Sequence, residues 1–572
     1  MFKYWIVLLL FTVCSDVILN AQKIPPQGYF RYPLLQPHSL SGSFGELRNN
    51  HFHSGIDFSG RGKEGQKIFA IADGYVSRVL VSPRGYGKAV YITHPNGYVS
   101  VYAHLKEFSS EISQYVKDEQ YANQTFYLNS YLDPHTIQVL KGEVIGFLGN
   151  TGNSTGPHLH FEIREEISER TLNPALFGIT ISDTKPPVIE AIRIIPMDRS
   201  ALINGKNNPL NLKVRLKDGK YELVSPNIPV VAGRIALGIK THDFNNTSTL
   251  RNGVYKLSLY ADSLLCYQHV MDSFSFDDTR YINDLIDYQE FKAGNGRFML
   301  TRVSPGNKAD IYKVLVNRGI HNINKAAKYK FEFRVEDYAG NVAKLNFILQ
   351  GDIAATSAQN NNKCEHLLRF DEDFYFRNKV VELSIPAFAL YDSICFSYKS
   401  TAAPAWAFSA IHSIHKDVVP LHTHYQLTVK PDKLPEALID KALLVSISSS
   451  GKISAAGGSF QNGFVRANLL SFGDYAIAVD TIPPKISPVN ISKGKDVSGQ
   501  KSVMLKITDN LSGIKTYNAY INNVWVLIEY DEKKEMLTYN FDENLLPGIS
   551  TFVLKVTDKC DNISEYTADI MY

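Results

Sequence analysis

Cysteine is scarce, with 5 in 572 residues, and Cys266, Cys364, Cys395 and Cys560 stand singly with no CxxC pair. That spacing excludes a cysteine-based zinc framework, and so few thiols cannot staple a chain of this length as a disulfide scaffold. An oxidising compartment permits a Cys364 to Cys395 bridge, which spacing alone does not establish. Charge imbalance is lacking too. The 60 Lys and Arg nearly balance the 57 Asp and Glu, for a formal net charge of +3, so there is no electrostatic case for a nucleic-acid partner. The apolar run from Tyr4 to Val13 is short for a bilayer span.

What remains is an ordinary globular composition, 44% hydrophobic and 20% charged, long enough for about three or four domains. Met1-Phe2-Lys3 is a basic start, and Leu19-Asn20-Ala21 ends on a small residue before Gln22; residues 1–21 therefore read as a signal peptide, leaving no transmembrane anchor after its removal. Phe11-Thr12-Val13 lacks the small residue wanted just before a lipidated Cys14, so a lipoprotein is not expected.

The chemistry gathers at His158-Leu159-His160. Gly149 to Pro157 is a turn-rich loop that feeds into His158-Leu159-His160-Phe161-Glu162-Ile163, which reads as a strand. Period-two alternation puts His158 and His160 on one face and Leu159, Phe161 and Ile163 on the other. Upstream, His53 and Asp57 share a face of an extended segment, and the strand Tyr98 to Ala103 ends at His104. One carboxylate and four imidazoles can supply three N/O ligands with an open position for water, which is what a catalytic zinc site needs. The residues alone leave open which of His158 and His160 is a ligand. Glu162 reads as a solvated strand charge, and His51, His94 and His135 as structural or exposed.

Taken in order, His53-Ser54-Gly55-Ile56-Asp57, Ala72-Asp73-Gly74-Tyr75-Val76, Tyr86-Gly87, Tyr102-Ala103-His104-Leu105, Gly142-Glu143-Val144-Ile145-Gly146, Gly149-Asn150-Thr151-Gly152 and Gly156-Pro157-His158-Leu159-His160-Phe161 resemble the M23 (LytM/lysostaphin-type) metallopeptidases. The resemblance covers roughly the first third of the chain. It implies one zinc ion bound by His53, Asp57 and His160, with His104 and His158 as non-ligand catalytic histidines. It also implies a peptidoglycan peptide substrate. No glutamate follows the first ligand as in HExxH enzymes, which suits a histidine-based scheme.

Ile68 to Ala72 and Tyr75 to Val79 around Asp73-Gly74 read as one hairpin, and Lys88 to Thr93 with Tyr98 to Ala103 around Pro95-Asn96-Gly97 as a second. Residues 106–140 form an insertion too long for an ordinary connection, either a wall or lid of the cleft or a surface elaboration. Beyond residue 180 the chain is strand-rich. Asp183-Thr184-Lys185-Pro186-Pro187 recurs as Asp480-Thr481-Ile482-Pro483-Pro484, and Asp337-Tyr338-Ala339-Gly340-Asn341 as Asp558-Lys559-Cys560-Asp561-Asn562, bracketing two related modules. His412, His415, His422 and His424 read as exposed strand and loop histidines, not a second metal site.

The fold class expected is mainly β: an antiparallel peptidase domain over 22–180, then immunoglobulin-like β-sandwich domains over 181–351, 352–480 and 481–572. The expected function is a secreted zinc endopeptidase acting on peptidoglycan stems or cross-bridges. The rival is a non-hydrolytic LytM-type activator or scaffold for other cell-wall hydrolases, with envelope proteins as possible partners of the later modules. Nothing resembling a wall-sorting tail follows Asp561, so a periplasm or envelope of a Gram-negative-type bacterium is the expected location.

Overall fold

The computed structural model describes residues 28–35, 39–353 and 364–572, so the signal-peptide expectation over 1–21 lies outside the described residues. The N-terminal domain is built from β1 (Leu40–Gly42), β2 (Ile56–Ser59), β3 (Lys67–Phe69), β4 (Gly74–Val81), β5 (Lys88–Thr93), β6 (Tyr98–Ala103), β7 (Leu105–Phe108), the helix α1 (Ser110–Asn123), β8 (Leu128–Tyr131), β9 (Gln138–Val139), β10 (Val144–Leu148), β11 (His158–Glu165) and β12 (Thr171–Leu172). The main sheet runs β1-β2-β11-β6-β5-β4-β8, and β3-β10-β7 form a second sheet.

Strand β11 lies between β2 and β6, antiparallel to both. Its apolar residues Leu159, Phe161 and Ile163 are wholly buried in the domain core with Phe58 and Tyr102. Burying that face fixes the register, because a slip of one residue would turn the apolar side chains outward. The same register pairs His160 with Asp57 on one side and with Ala103, the residue before His104, on the other.

The hairpin expected at Pro95-Asn96-Gly97 forms: β5 pairs with β6, and Gly97 takes the positive φ, +81°, that the turn requires. The hairpin expected at Asp73-Gly74 does not. β3 pairs with β10 in the second sheet, while β4 pairs with β5 and β8 in the first. Gly74 serves a close approach instead, since a Cβ there would lie 2.3 Å from the Thr93 carbonyl oxygen.

The segment 106–140 is built into the domain. Ile112, Val116 and Gln120 recur at every fourth residue of α1 and form its buried face. Beyond the helix, β8 adds an edge strand to β4, with Phe126 and Leu128 buried. Ile112, Val116, Phe126 and Leu128 thus tie the segment to the core, while Tyr127, Tyr131 and Leu140 stay exposed.

The later modules are β structures. In the second, the long strand Val230–His242 joins both halves of a twelve-stranded sheet around a core that includes Ile192, Leu237, Phe333 and Leu345. Its Ser273–Phe274 strand pairs with β12 and so extends the first domain's sheet. The third has two five-stranded sheets, and a Cys364–Cys395 disulfide forms beside them. Cys266 and Cys560 are free and buried.

The last module packs a four-stranded and a five-stranded sheet together and folds back onto the N-terminal domain. Trp525 meets Tyr121 of α1 edge to face, with ring centroids 5.3 Å apart. Lys88 Nζ lies 2.9 Å from Glu529, and Arg84 pairs with Glu532. Such partly exposed ion pairs contribute little; the aromatic contact and the shared apolar core carry more.

The four middle-block histidines do not form a metal group among the described residues; His424 is exposed as expected, whereas His412, His415 and His422 are less exposed. His412 is 1% exposed and stacks on Tyr398, and His422 stacks on Tyr281 with centroids 4.3 Å apart. Aromatic neighbours, which the sequence spacing does not reveal, cover these two.

Phe161→Ala should destabilise the N-terminal domain by about 3–5 kcal/mol, measured as a shift of its transition in denaturant. A change below about 1 kcal/mol would contradict the placement of Phe161 at the centre of the core.

Candidate metal centre

Three ligand atoms converge. His53 Nε2 lies 3.0 Å from Asp57 Oδ1 and 3.0 Å from His160 Nδ1, and His160 Nδ1 lies 2.9 Å from Asp57 Oδ1. All three residues are buried, at 4 to 5% exposure. Tetrahedral zinc with bonds of about 2.0–2.1 Å would hold its ligand atoms about 3.3 Å apart. The spacing observed is close to that, and two imidazole nitrogens and a carboxylate form a borderline-soft donor set that suits zinc. In this register His160 presents Nδ1 to the group, whereas His158 Nε2 stands 3.5 Å from Asp57 Oδ1, at its edge.

Each of these side chains is held from behind. His53 Nδ1 donates to the Ser43 carbonyl at 2.7 Å, leaving Nε2 free to face the centre. Arg48 donates to Asp57 Oδ2 at 3.0 Å. His160 Nε2 lies 2.8 Å from Glu162 Oε1, which also accepts from Ser54 Oγ and Tyr86 OH at 2.6 Å each. Arg164 Nε donates to Glu162 Oε2 at 2.6 Å. Glu162 is therefore a fully buried partner of an imidazole, not a solvated strand charge. The polar face of β11 carries His158, His160, Glu162 and Arg164 in sequence, and it faces the centre rather than solvent.

His104 and His158 stand beside the group, their rings 4.8 Å apart. His104 Nδ1 donates to the Thr151 carbonyl at 2.8 Å, and His158 Nδ1 donates to the Gly156 carbonyl at 2.8 Å. A neutral imidazole held in this way offers its Nε2 lone pair. His104 also has φ of +61°, a strained backbone for a non-glycine residue. Its position depends on two clasped loops. Gly87 and Gly152 both have φ of +67°, and a Cβ on Gly152 would lie 2.4 Å from the Gly85 carbonyl oxygen. Only glycine lets the two chains approach so closely and carry Thr151 to His104.

Electrostatics separate the histidines. Burial opposes the charge on His160, but hydrogen bonds and attraction from Asp57 and Glu162 outweigh it and hold its pKa up at about 9. Burial also opposes the Asp57 charge, yet the surrounding histidines keep it well below the usual carboxylate range. Burial, reinforced by the neighbouring His158 and His160, depresses His104 to about 3. His53 is lowered by burial against the pull of Asp57.

The structure thus brings together all five histidine and aspartate residues singled out from the sequence. Sequence reasoning missed Arg48, Ser54 and Arg164 and misread Glu162. The signal available for the last two was the continued alternation of polar residues past His160. Of the histidines off the motif, His94 is buried between the Asp73 carbonyl and Ser100 Oγ, while His51 and His135 are exposed.

The profile of Peptidase family M23 matches residues 51–135 and 121–174, and that of the Zu5-like domain matches residues 365–480. An uncharacterized metalloprotease of Haemophilus influenzae is 34% identical over 154 residues, 26% of this chain and 27% of the relative. The DD-carboxypeptidase/endopeptidase Mpg of Neisseria meningitidis serogroup B is 31% identical over 192 residues, 34% of this chain and 33% of the relative. The murein hydrolase activator NlpD of Escherichia coli is 33% identical over 122 residues, 21% of this chain and 25% of the relative. The chain thus spans about a third or less of the length of these curated relatives. The N-terminal domain, with the order of motifs intact, matches Peptidase family M23, and the chain continues beyond it into β-sandwich modules.

Proposed function

We propose that the protein is a zinc metalloendopeptidase that hydrolyses peptide bonds of peptidoglycan stems or cross-bridges outside the cytoplasm. The observation that carries this reading is the convergence of His53 Nε2, Asp57 Oδ1 and His160 Nδ1 within 3.0 Å of one another, with two further imidazoles alongside. The endopeptidase named among the relatives supports the substrate class.

In this reading His53, Asp57 and His160 hold zinc, which when bound supplies a Lewis acid for a carbonyl oxygen and acidifies water to a pKa of about 7. His158, with Nε2 turned to the centre and Nδ1 fixed by Gly156, takes a proton from the attacking water and passes one to the leaving amine. His104, neutral at physiological pH with its Nδ1 proton held by the Thr151 carbonyl, presents Nε2 as an acceptor that orients the attacking water. Glu162, locked by Arg164, Tyr86 and Ser54, fixes the ring plane of His160. Low exposure keeps bulk water from competing for these hydrogen bonds.

A second reading, a non-hydrolytic activator, is favoured by the seat of the last module. Lys533 donates to the Asn150 carbonyl and, at 3.1 Å, to the Ser154 carbonyl, so the module grips the loop that leads into His158. The activator named among the relatives also favours it. His158→Ala separates the two readings: as a hydrolase the protein should keep its zinc and lose about 10²–10⁴ in kcat, measured as peptide termini released from purified sacculi. Unchanged cellular function in that variant would instead favour the activator.

Glu162→Gln should weaken zinc binding about 10–100-fold, read by competition with a chromophoric chelator. An unchanged affinity would contradict its supporting role. Zinc uptake should also be proton-coupled. In the metal-free chain the raised pKa of His160 contributes stability fully present below pH 6.5 and lost as pH rises through about 9. Zinc must displace that proton, so binding near pH 7 should release about one proton, and affinity should rise about tenfold per pH unit toward 9. Calorimetry in buffers of different ionisation enthalpy measures this release; none would contradict a protonated, ion-paired His160.

A further inference from the structure

We propose that Asp183, Asp243 and Asp337 form a calcium site where the N-terminal domain runs into the second module, and that Asp480, Asp509 and Asp558 repeat it at the start of the last module. In each group, carboxylate oxygens from all three residues lie within 4.8 Å of one another. Two of the three aspartates in each set fall on the recurring Asp-Thr-x-Pro-Pro and Asp-x-x-x-Asn motifs, which the metal centre leaves unused, and Asp243 and Asp509 join them from elsewhere.

The two groups share one construction. Asn341 Nδ2 donates to Asp337 Oδ2 at 2.7 Å and to the Asp183 carbonyl at 3.3 Å. Asn562 Nδ2 donates to Asp558 Oδ2 at 2.8 Å and to the Asp480 carbonyl at 2.9 Å. An asparagine thus ties the incoming chain to the last aspartate in both modules, and the third aspartate arrives from a different strand end.

Polar groups at the first site are left without partners. Asp243 Oδ1 and Asn252 Oδ1 are buried and accept no hydrogen bond, in residues only 6% and 5% exposed. Both residues line the same cavity of 340 Å³ with Asp183 and Asp337. In the second group Asp509 Oδ1 is likewise buried and unpartnered. Leaving such oxygens unpaired beside like charges is costly. Among the described residues, none of the six aspartates is in a salt bridge. The nearest base at the first site, Lys185, donates its Nζ to the Asn245 carbonyl at 3.0 Å instead.

A cation would satisfy these oxygens. The donor set is all oxygen, carboxylate and amide, with no histidine or thiolate, which selects a hard cation over zinc. Several carboxylates gathered from strand and loop ends suit the six to eight ligands of calcium better than the strict octahedron of magnesium. Placed at the two linkers, bound calcium would fix each module against the segment that precedes it.

The test uses the full chain, stripped by chelator and reloaded with one equivalent of zinc. Equilibrium dialysis against radioactive calcium in the millimolar range, where extracellular modules bind, should find two calcium ions per chain and a raised melting temperature. Asp243→Asn should retain one, and Asp243→Asn with Asp509→Asn none, with zinc content and circular dichroism unchanged. Because asparagine keeps the shape and removes a repelling charge, the calcium-free variants should melt no lower than the parent. No calcium bound by the parent, or both ions retained by the double variant, would overturn the proposal. So would variants that melt well below the parent without calcium, since the carboxylates would then act only as hydrogen-bond acceptors.

Discussion

The alternation of side chains along His158–Glu165 is the constraint on which the rest of the N-terminal domain depends. Leu159, Phe161 and Ile163 can be buried only if His158, His160, Glu162 and Arg164 turn to the opposite face. The hydrophobic term that folds the sheet therefore also delivers the imidazoles to one place. Pairing with β2 sets Asp57 across from His160, and pairing with β6 brings up His104. A site assembled from three segments distant in sequence thus costs little beyond making the sheet.

The opposed charges on that face need more support. Glu162 and Arg164 are buried together and would be expensive if either stood alone. Their mutual pairing, with Tyr86 and Ser54 supplying further hydrogen bonds, makes a rigid anchor behind His160. The second module extends this support: Phe276 lies against the Arg164 guanidinium at 4.4 Å, and Thr279 accepts the Phe52 amide proton. The last module grips the loops on the other side. The modules act on the geometry of the centre as well as on its surroundings.

Much of this was legible in the sequence because it rests on local rules. The strand at His158, the turn at Asn96-Gly97 and the grouping of His53, Asp57, His104, His158 and His160 follow from period-two patterning, turn chemistry and motif order. What was not legible depended on partners far along the chain. Asp73-Gly74 carries a hairpin signature, but its flanking strands go to different sheets, since Lys67–Phe69 finds β10 instead. Glu162 looks like a surface charge by alternation alone, because polarity does not say whether a polar face meets water or a buried centre. The packing of residues 106–140 into the core, the rings around His412 and the Cys364–Cys395 disulfide likewise appear only in three dimensions.

The central claim is that His53, Asp57 and His160 share one zinc ion while His104 and His158 stand free of it. Anomalous diffraction from crystals of the zinc-loaded protein, recorded on both sides of the zinc absorption edge, tests this most directly. The account predicts a single strong peak in this domain, about 2.0–2.2 Å from His53 Nε2, Asp57 Oδ1 and His160 Nδ1. A peak bonded to His158 in place of His160, or no peak at this position, would contradict it.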